Sequence, residues 1–85
     1  MSTVTLNQMS VGQSGKVEDL SGQDAVCHRL LEMGITRGTV VEVIRFAPMG
    51  DPIDIKIRGY HLSLRRQEAQ AIWVLIEEKH IIGKN

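Results

Sequence analysis

Ala47-Pro48-Met49-Gly50-Asp51-Pro52-Ile53-Asp54-Ile55-Lys56-Ile57-Arg58-Gly59-Tyr60-His61-Leu62-Ser63-Leu64 is the stretch whose reading decides the fold. Ile53, Ile55 and Ile57 alternate without a fault against Asp54, Lys56 and Arg58. Successive side chains of a strand point to opposite faces, so this period of two describes a strand buried on one face and wet on the other. Gly59-Tyr60 reads as a tight reversal into a second strand, His61 to Arg65, with Leu62 and Leu64 facing in and His61, Ser63 and Arg65 facing out. Ahead of the isoleucines, two prolines stiffen the entry and exit of a loop and Gly50 relieves its turn. Met49 then stands at the tip as a flexible apolar side chain.

Upstream, Thr39 to Phe46 is rich in β-branched residues, with Val41 and Val43 on one face and Glu42 on the other. Before it the period changes. Val26, Cys27, Leu30, Leu31 and Met33 fall at helical spacing, and Gly34 follows where a left-handed cap is needed, so a short helix is expected from Asp24 to Met33. Asp24 suits the positive end of that helix, and Arg29 and Glu32 are placed on its outer face. Gly15 to Leu20 reads as a short strand with Val17 pointing in, and Leu6, Met9 and Val11 as an arm that packs on the core before it. Downstream, Gln67 to Gln70 favours a single helical turn, and Ala71 to Ile76 supplies a last strand holding Trp73 and Val74.

These segments predict a mainly β fold: a small, partly open SH3-like barrel of five strands, with one short helix between the first two strands and a helical turn before the fifth. At 85 residues the chain is one domain, residues 1–85, with its core at about 6–76. The ends, Met1 to Val4 and His80 to Asn85, read as loose, the latter as a flexible tail. No apolar run approaches the ~20 residues needed to span a bilayer, and Met1-Ser2-Thr3-Val4-Thr5 lacks a signal peptide's basic and apolar regions. A cytoplasmic protein is therefore expected, and its single cysteine suits a reducing compartment. Ten basic residues balance ten acidic ones, which leaves no global field to attract nucleic acid or an anionic membrane.

Candidate chemistry is sparse. Cys27, His28, His61 and His80 are possible metal ligands, but Cys27 and His28 are neighbours that a helix turns about 100° apart. Cys27 shares the stripe of Leu30 and Leu31 and reads as a small core hydrophobe. His28 and Glu32, four residues apart, share a helix face and form a weak site for Fe(II) or another divalent ion; a solvated helix face is the simpler reading. No nucleophile sits in a motif with a base and a third orienting group, and no glycine pattern makes a phosphate cradle, so no active site is expected. Lys56, Arg58, Arg65 and Arg66 form a local basic cluster. Phe46, Tyr60 and Trp73 are too few and too scattered for a base-stacking platform or a proline-peptide groove, and at least one of them is expected in the core. Nucleic acid is thus not the expected partner, and an RNA-binding small barrel is kept only as a third, less favoured alternative. The loop at Met49 is either plain architecture or a contact point whose rigidity lowers the entropy lost on binding.

Three segments in order carry a resemblance: Arg29-Leu30-Leu31-Glu32-Met33-Gly34-Ile35-Thr36-Arg37-Gly38-Thr39, then Ala47-Pro48-Met49-Gly50-Asp51-Pro52-Ile53, then Leu62-Ser63-Leu64-Arg65-Arg66-Gln67-Glu68-Ala69. Together they resemble the FeoA family, the small bacterial ferrous iron transport protein A, over about Leu6 to Val74. Arg37 departs from the proline that such chains often carry before the glycine at Gly38. The resemblance implies an SH3-like barrel and an accessory, non-enzymatic role in bacterial ferrous iron uptake. It implies as partner the FeoB-type membrane transporter, whose cytosolic GTP-binding region would bring the domain to the membrane's inner face. The residues expected to dock are Met49, Gly50 and Asp51, with Arg37 and Tyr60; the rival is a metal-sensing or metal-delivering protein using His28, Glu32 and Cys27.

The strand facing is directly testable. Ile55→Asp is expected to unfold the domain, because it exchanges a buried side chain worth about 1.5–3 kcal/mol for an unpaired buried charge. Lys56→Asp is expected to cost little. Chemical denaturation of the two variants checks this, and equal tolerance of both contradicts the assignment.

Overall fold

The structure is a computed structural model that describes residues 2–76; the expected tail, His80 to Asn85, lies outside the described residues. Six strands form one antiparallel sheet: β1 (Ser2–Thr5), β2 (Ser14–Leu20), β3 (Val40–Phe46), β4 (Ile53–Ile57), β5 (Tyr60–Leu64) and β6 (Ile72–Ile76), in the order β1-β6-β2-β3-β4-β5. A 3-10 turn at Leu6–Gln8 follows β1, helix α1 (Asp24–Glu32) connects β2 to β3, and the short helix α2 (Arg66–Ala69) connects β5 to β6.

Ile53, Ile55 and Ile57 are at most 1% exposed, as their alternation requires. In register, Ile55 lies between Val43 on β3 and Leu62 on β5, and Ile57 lies between Val41 and Tyr60. A flat sheet of six strands spaced about 4.8 Å apart would be about 24 Å wide, yet buried side chains from β2 to β6 share a single cluster. The sheet must therefore curl around that cluster. Two bulges contribute, one between Val17 and Asp19 on β2 and one between Val43 and Arg45 on β3. Each adds a residue to one strand and increases its local bend. Leu30 of α1, the following Ile35, Leu6 and Met9 of the arm and Ala69 of α2 complete the core.

The end of α1 is built as its sequence predicts. Gly34 takes φ +91°, the Gly34 amide donates to Leu31 O and the Ile35 amide donates to Leu30 O, each at 3.0 Å. This is a Schellman cap, and the buried pair Leu30 and Ile35 is its hydrophobic contact. Glu68 ties α1 to α2: its Oε1 accepts from the Arg65 amide at 2.9 Å, and its Oε2 lies 3.0 Å from Arg29 Nε.

Several expectations are corrected. The first residues are not a loose end, since Ser2–Thr5 pairs with β6 and gives six strands instead of five. The segment is short and only Val4 and Thr5 are half-buried, so it shows no alternation to read. Of the arm, Leu6 and Met9 are buried but Val11 is 58% exposed. The β4–β5 reversal is Arg58-Gly59, one residue earlier than expected, and Tyr60 opens β5. Arg29 is on the outer face of α1 as expected, and its guanidinium also reaches Glu68. No aromatic is buried: Phe46 is half-buried against the core, while Tyr60 and Trp73 are exposed. Cys27 is half-buried, its Sγ 3.4 Å from Ser21 O, and so lies at the margin of the core.

Gly15 marks the closest approach between strands. A Cβ there would run into the Leu75 carbonyl oxygen and stand 2.7 Å from Val74 Cγ1. Both obstacles belong to β6, and the nearer is backbone, which cannot swing aside. Gly15→Ala is expected to destabilise the domain by about 1–3 kcal/mol, the range for overpacking. Urea denaturation measures it, and an unchanged midpoint contradicts the close β2–β6 approach.

Candidate functional site

The expected docking residues lie near the two ends of β4. At the first end, Ala47–Pro52 closes on itself: the Gly50 amide donates to Ala47 O at 2.7 Å and the Ala47 amide to Pro52 O at 3.0 Å. Gly50 takes φ +83°, which favours glycine. Asp51 is more than a turn residue. Its Oδ1 accepts from the Arg66 amide at 3.0 Å, satisfying a free donor at the start of α2 and fixing the loop to that helix. Met49 is left 89% exposed at the tip.

At the other end, Arg58 (φ +46°) and Gly59 (φ +83°) make the β4–β5 turn. A non-glycine residue in the left-handed region costs about 1–2 kcal/mol. The Arg58 guanidinium offsets part of this by donating to Thr36 Oγ1 and Thr39 Oγ1, both at 3.2 Å. The Tyr60 hydroxyl donates to Met33 O at 3.1 Å and so helps to satisfy the carbonyl end of α1. Arg37, on the same α1–β3 loop, pairs with Asp19 at 3.4 Å, both side chains well exposed. Exposed pairs of this kind contribute little stability.

The structure thus divides the expected docking residues into two groups. Met49, Gly50 and Asp51 stand at one end of β4, with α2. Arg37 and Tyr60 stand at the other, on and beside the loop that follows α1. The five residues of β4 separate the two groups by about 13 Å along the strand, and β5 runs between them. Sequence reading missed Arg58, Arg66 and Glu68 as the groups that fix these loops. The only sequence signal was Arg65-Arg66-Gln67-Glu68, which spaces a carboxylate to reach back to the residue before α2.

The metal candidates do not converge. His28 and Glu32 are exposed on α1, and Cys27 turns toward Ser21. Among the described residues no three His, Cys, Asp or Glu side chains come together in a group able to hold an ion. The basic residues Lys56, Arg58, Arg65 and Arg66 are all exposed. On the outer face of β4 and β5, Asp54 accepts from Ser63 Oγ at 2.6 Å and from Arg45 Nε at 2.8 Å.

Fold and surface define a small SH3-like β domain. The chain belongs to the FeoA domain family, whose pattern matches residues 4–75. It is similar to a FeoA-like protein from Clostridium acetobutylicum, with 38% identity, a TM-score of 0.86, and coverage of 94% of this chain and 93% of that one. It is also similar to a FeoA from Stenotrophomonas maltophilia complexed with zinc and described as a procaryotic SH3 domain protein (26% identity, TM-score 0.71, coverage 87% and 89%). A Porphyromonas gingivalis protein described as a fusion of Fe(2+) transport protein A with the Fe(2+) transporter FeoB is 33% identical over 69 residues. That match takes in 81% of this chain but spans only 8% of the fusion protein. Among the described residues, no helix is long and apolar enough to cross a membrane.

The Asp54 cluster titrates in a predictable direction. The Ser63 hydroxyl first, and the Arg45 guanidinium second, hold its carboxyl below the usual aspartate range. A carboxyl with a lowered folded pKa stabilises the fold fully above its unfolded pKa and loses that contribution as pH falls through the folded value. Ser63→Ala is expected to move the Asp54 titration upward, toward that of an ordinary aspartate. Carboxyl-carbon NMR across acid pH follows it, and an unmoved titration contradicts the leading role of Ser63.

Proposed function

We propose that this domain is an accessory module of bacterial ferrous iron uptake that binds the cytosolic GTP-binding region of a FeoB-type transporter through the Ala47–Pro52 loop, with Met49 as the central contact. One observation carries the reading: in the Porphyromonas gingivalis relative, a segment 33% identical to this chain is joined to FeoB in one polypeptide. A tether of that kind raises the local concentration of the attached module to about the millimolar range, so a modest docking surface is sufficient.

The loop has the properties such a surface needs. Its backbone is held at Ala47, Gly50 and Pro52 and its carboxylate at Arg66, so little conformational freedom is lost on contact. Met49 offers an adaptable apolar side chain in full view of solvent. Arg37 and Tyr60 supply a second, more polar contact about one strand length away. The domain contributes binding in this account, and the transport and nucleotide chemistry belong to the partner. Cytoplasmic residence, with recruitment to the membrane through the transporter, follows from the same reading.

The test is retention of the purified chain by the immobilised cytosolic region of its cognate transporter, compared with Met49→Asp. The unsubstituted chain is expected to bind at about 10 μM or tighter. Met49→Asp is expected to lose at least about tenfold in affinity while its melting midpoint stays within the small range typical of exposed sites. No retention of the unsubstituted chain, together with unchanged iron uptake on deletion of its gene, overturns the docking role; equal binding of the variant moves the contact away from Met49.

A further inference from the structure

The β4–β5 hairpin turns through two residues of positive φ, Arg58 and Gly59, which is the type I′ arrangement. In such a hairpin the flanking residues, here Ile57 and Tyr60, exchange hydrogen bonds across the ladder. The pairs Lys56–His61 and Asp54–Ser63 are then the non-bonded ones. The amides and carbonyls of His61 and Ser63 therefore point away from β4, toward the outer side of β5. Among the described residues no strand lies there, because β5 is the last strand of the sheet.

Edge strands usually carry a device against further pairing: a proline, a bulge, an inward charge or a cover. The β5 register with β4 is unbroken over its five residues, and Tyr60–Leu64 contains no proline. No described residue accepts the His61 or Ser63 amide. Orphaned amides are rarely buried, so among the described residues nothing covers this edge and it is ready to pair.

Charge selects what pairs with it. From Ile53 to Arg66 the chain carries Lys56, Arg58, Arg65 and Arg66 against a single carboxylate, Asp54, and that carboxylate is already bound by Arg45 and Ser63. The side chains of β5 alternate, with Tyr60 and half-buried Leu62 on the core side and exposed His61 and Ser63, followed by Arg65, on the solvent side. A second copy of this chain is a poor occupant. Two β5 strands paired antiparallel about Leu62 would bring Arg65 of each beside the Arg58-Gly59 turn of the other, setting like charges together.

We propose that the β5 edge binds an extended acidic segment of a partner protein by strand addition, with carboxylates alternating with apolar side chains. The inference rests on the docking role proposed above and gives it a geometry. Met49 stands beyond the Leu64 end of the edge and Tyr60 at its start, so one strand laid along β5 joins the two separated groups. Its backbone pairs with His61 and Ser63, its apolar residues meet Tyr60 and Leu62, and its carboxylates meet His61 and Arg65.

Amide hydrogen exchange read by NMR tests this with two probes, the transporter's cytosolic region and a short synthetic peptide alternating glutamate with valine. A peptide alternating lysine with valine serves as control. The glutamate peptide is expected to slow exchange of the His61 and Ser63 amides at least about tenfold, to lose most of that effect with Arg65→Glu, and to find no equal in the lysine peptide. Absence of protection by the glutamate peptide overturns strand addition. So does binding of the cytosolic region that leaves both amides unprotected, although the docking role itself then stands. Failure of the cytosolic region to bind at all defeats the docking role, while the peptide still decides the chemistry of the edge. Protection that rises with protein concentration alone would assign the edge to a second copy. An oligonucleotide that shifts Lys56, Arg58 and Arg65 without protecting the amides would assign the cations to nucleic acid; either outcome overturns the proposal.

Discussion

The register of β4 is the constraint on which the rest of the domain depends. Ile53 lies between Phe46 and Leu64, Ile55 between Val43 and Leu62, and Ile57 between Val41 and Tyr60. A slip of one residue would turn all three isoleucines to solvent and drive Asp54 and Lys56 into the core. Each fully buried isoleucine is worth about 1.5–3 kcal/mol, so the slipped pairing forfeits about 4.5–9 kcal/mol before the cost of the buried charges is added, comparable with the whole stability of a small domain. With β4 fixed, the loop before it and the turn after it are fixed too, one strand length apart.

Polar ties then convert that spacing into a rigid surface. Asp51 holds its loop to Arg66 at the start of α2, and Glu68 holds α2 to Arg29 of α1. The far end of α1 returns to the hairpin through the Tyr60 hydroxyl on Met33 O, and Arg58 holds the neighbouring loop through Thr36 and Thr39. A typical hydrogen bond nets only about 1 kcal/mol. The value of these ties is therefore mostly geometric: they link both loops, both helices and the hairpin in one chain of contacts, so the exposed groups are presented in a single arrangement.

Local periodicity made most of this fold legible in the sequence. The alternating isoleucines, the helical spacing from Val26 to Met33 and the glycine at position 34 each carry their signal within a few residues; the strand, the helix and its cap form as expected, although Leu31 of the helical stripe is left 49% exposed. What escaped were features set by distant partners or by rare local states. Ser2–Thr5 becomes a strand because β6 offers it an edge, and four residues hold no pattern that announces this. The turn was displaced by one residue because an arginine in the left-handed region is uncommon. It is held there by threonines about twenty positions earlier. The surface shows the same division. Met49 was legible as an exposed tip, since prolines and glycine act locally, whereas Asp51 bonds to an amide 15 residues away and Glu68 to a guanidinium on another helix.

The docking proposed for the transporter uses a tip before β4 and an edge and basic rim along β5, and so predicts where contact is made as well as that it is made. Titrating the isotope-labelled domain with the transporter's cytosolic region, and following every backbone amide by NMR, tests that placement most directly. The account predicts that the largest shifts fall on Met49 to Asp51 and along Tyr60 to Arg66. Shifts centred on the outer face of α1, around His28 and Glu32, would contradict it.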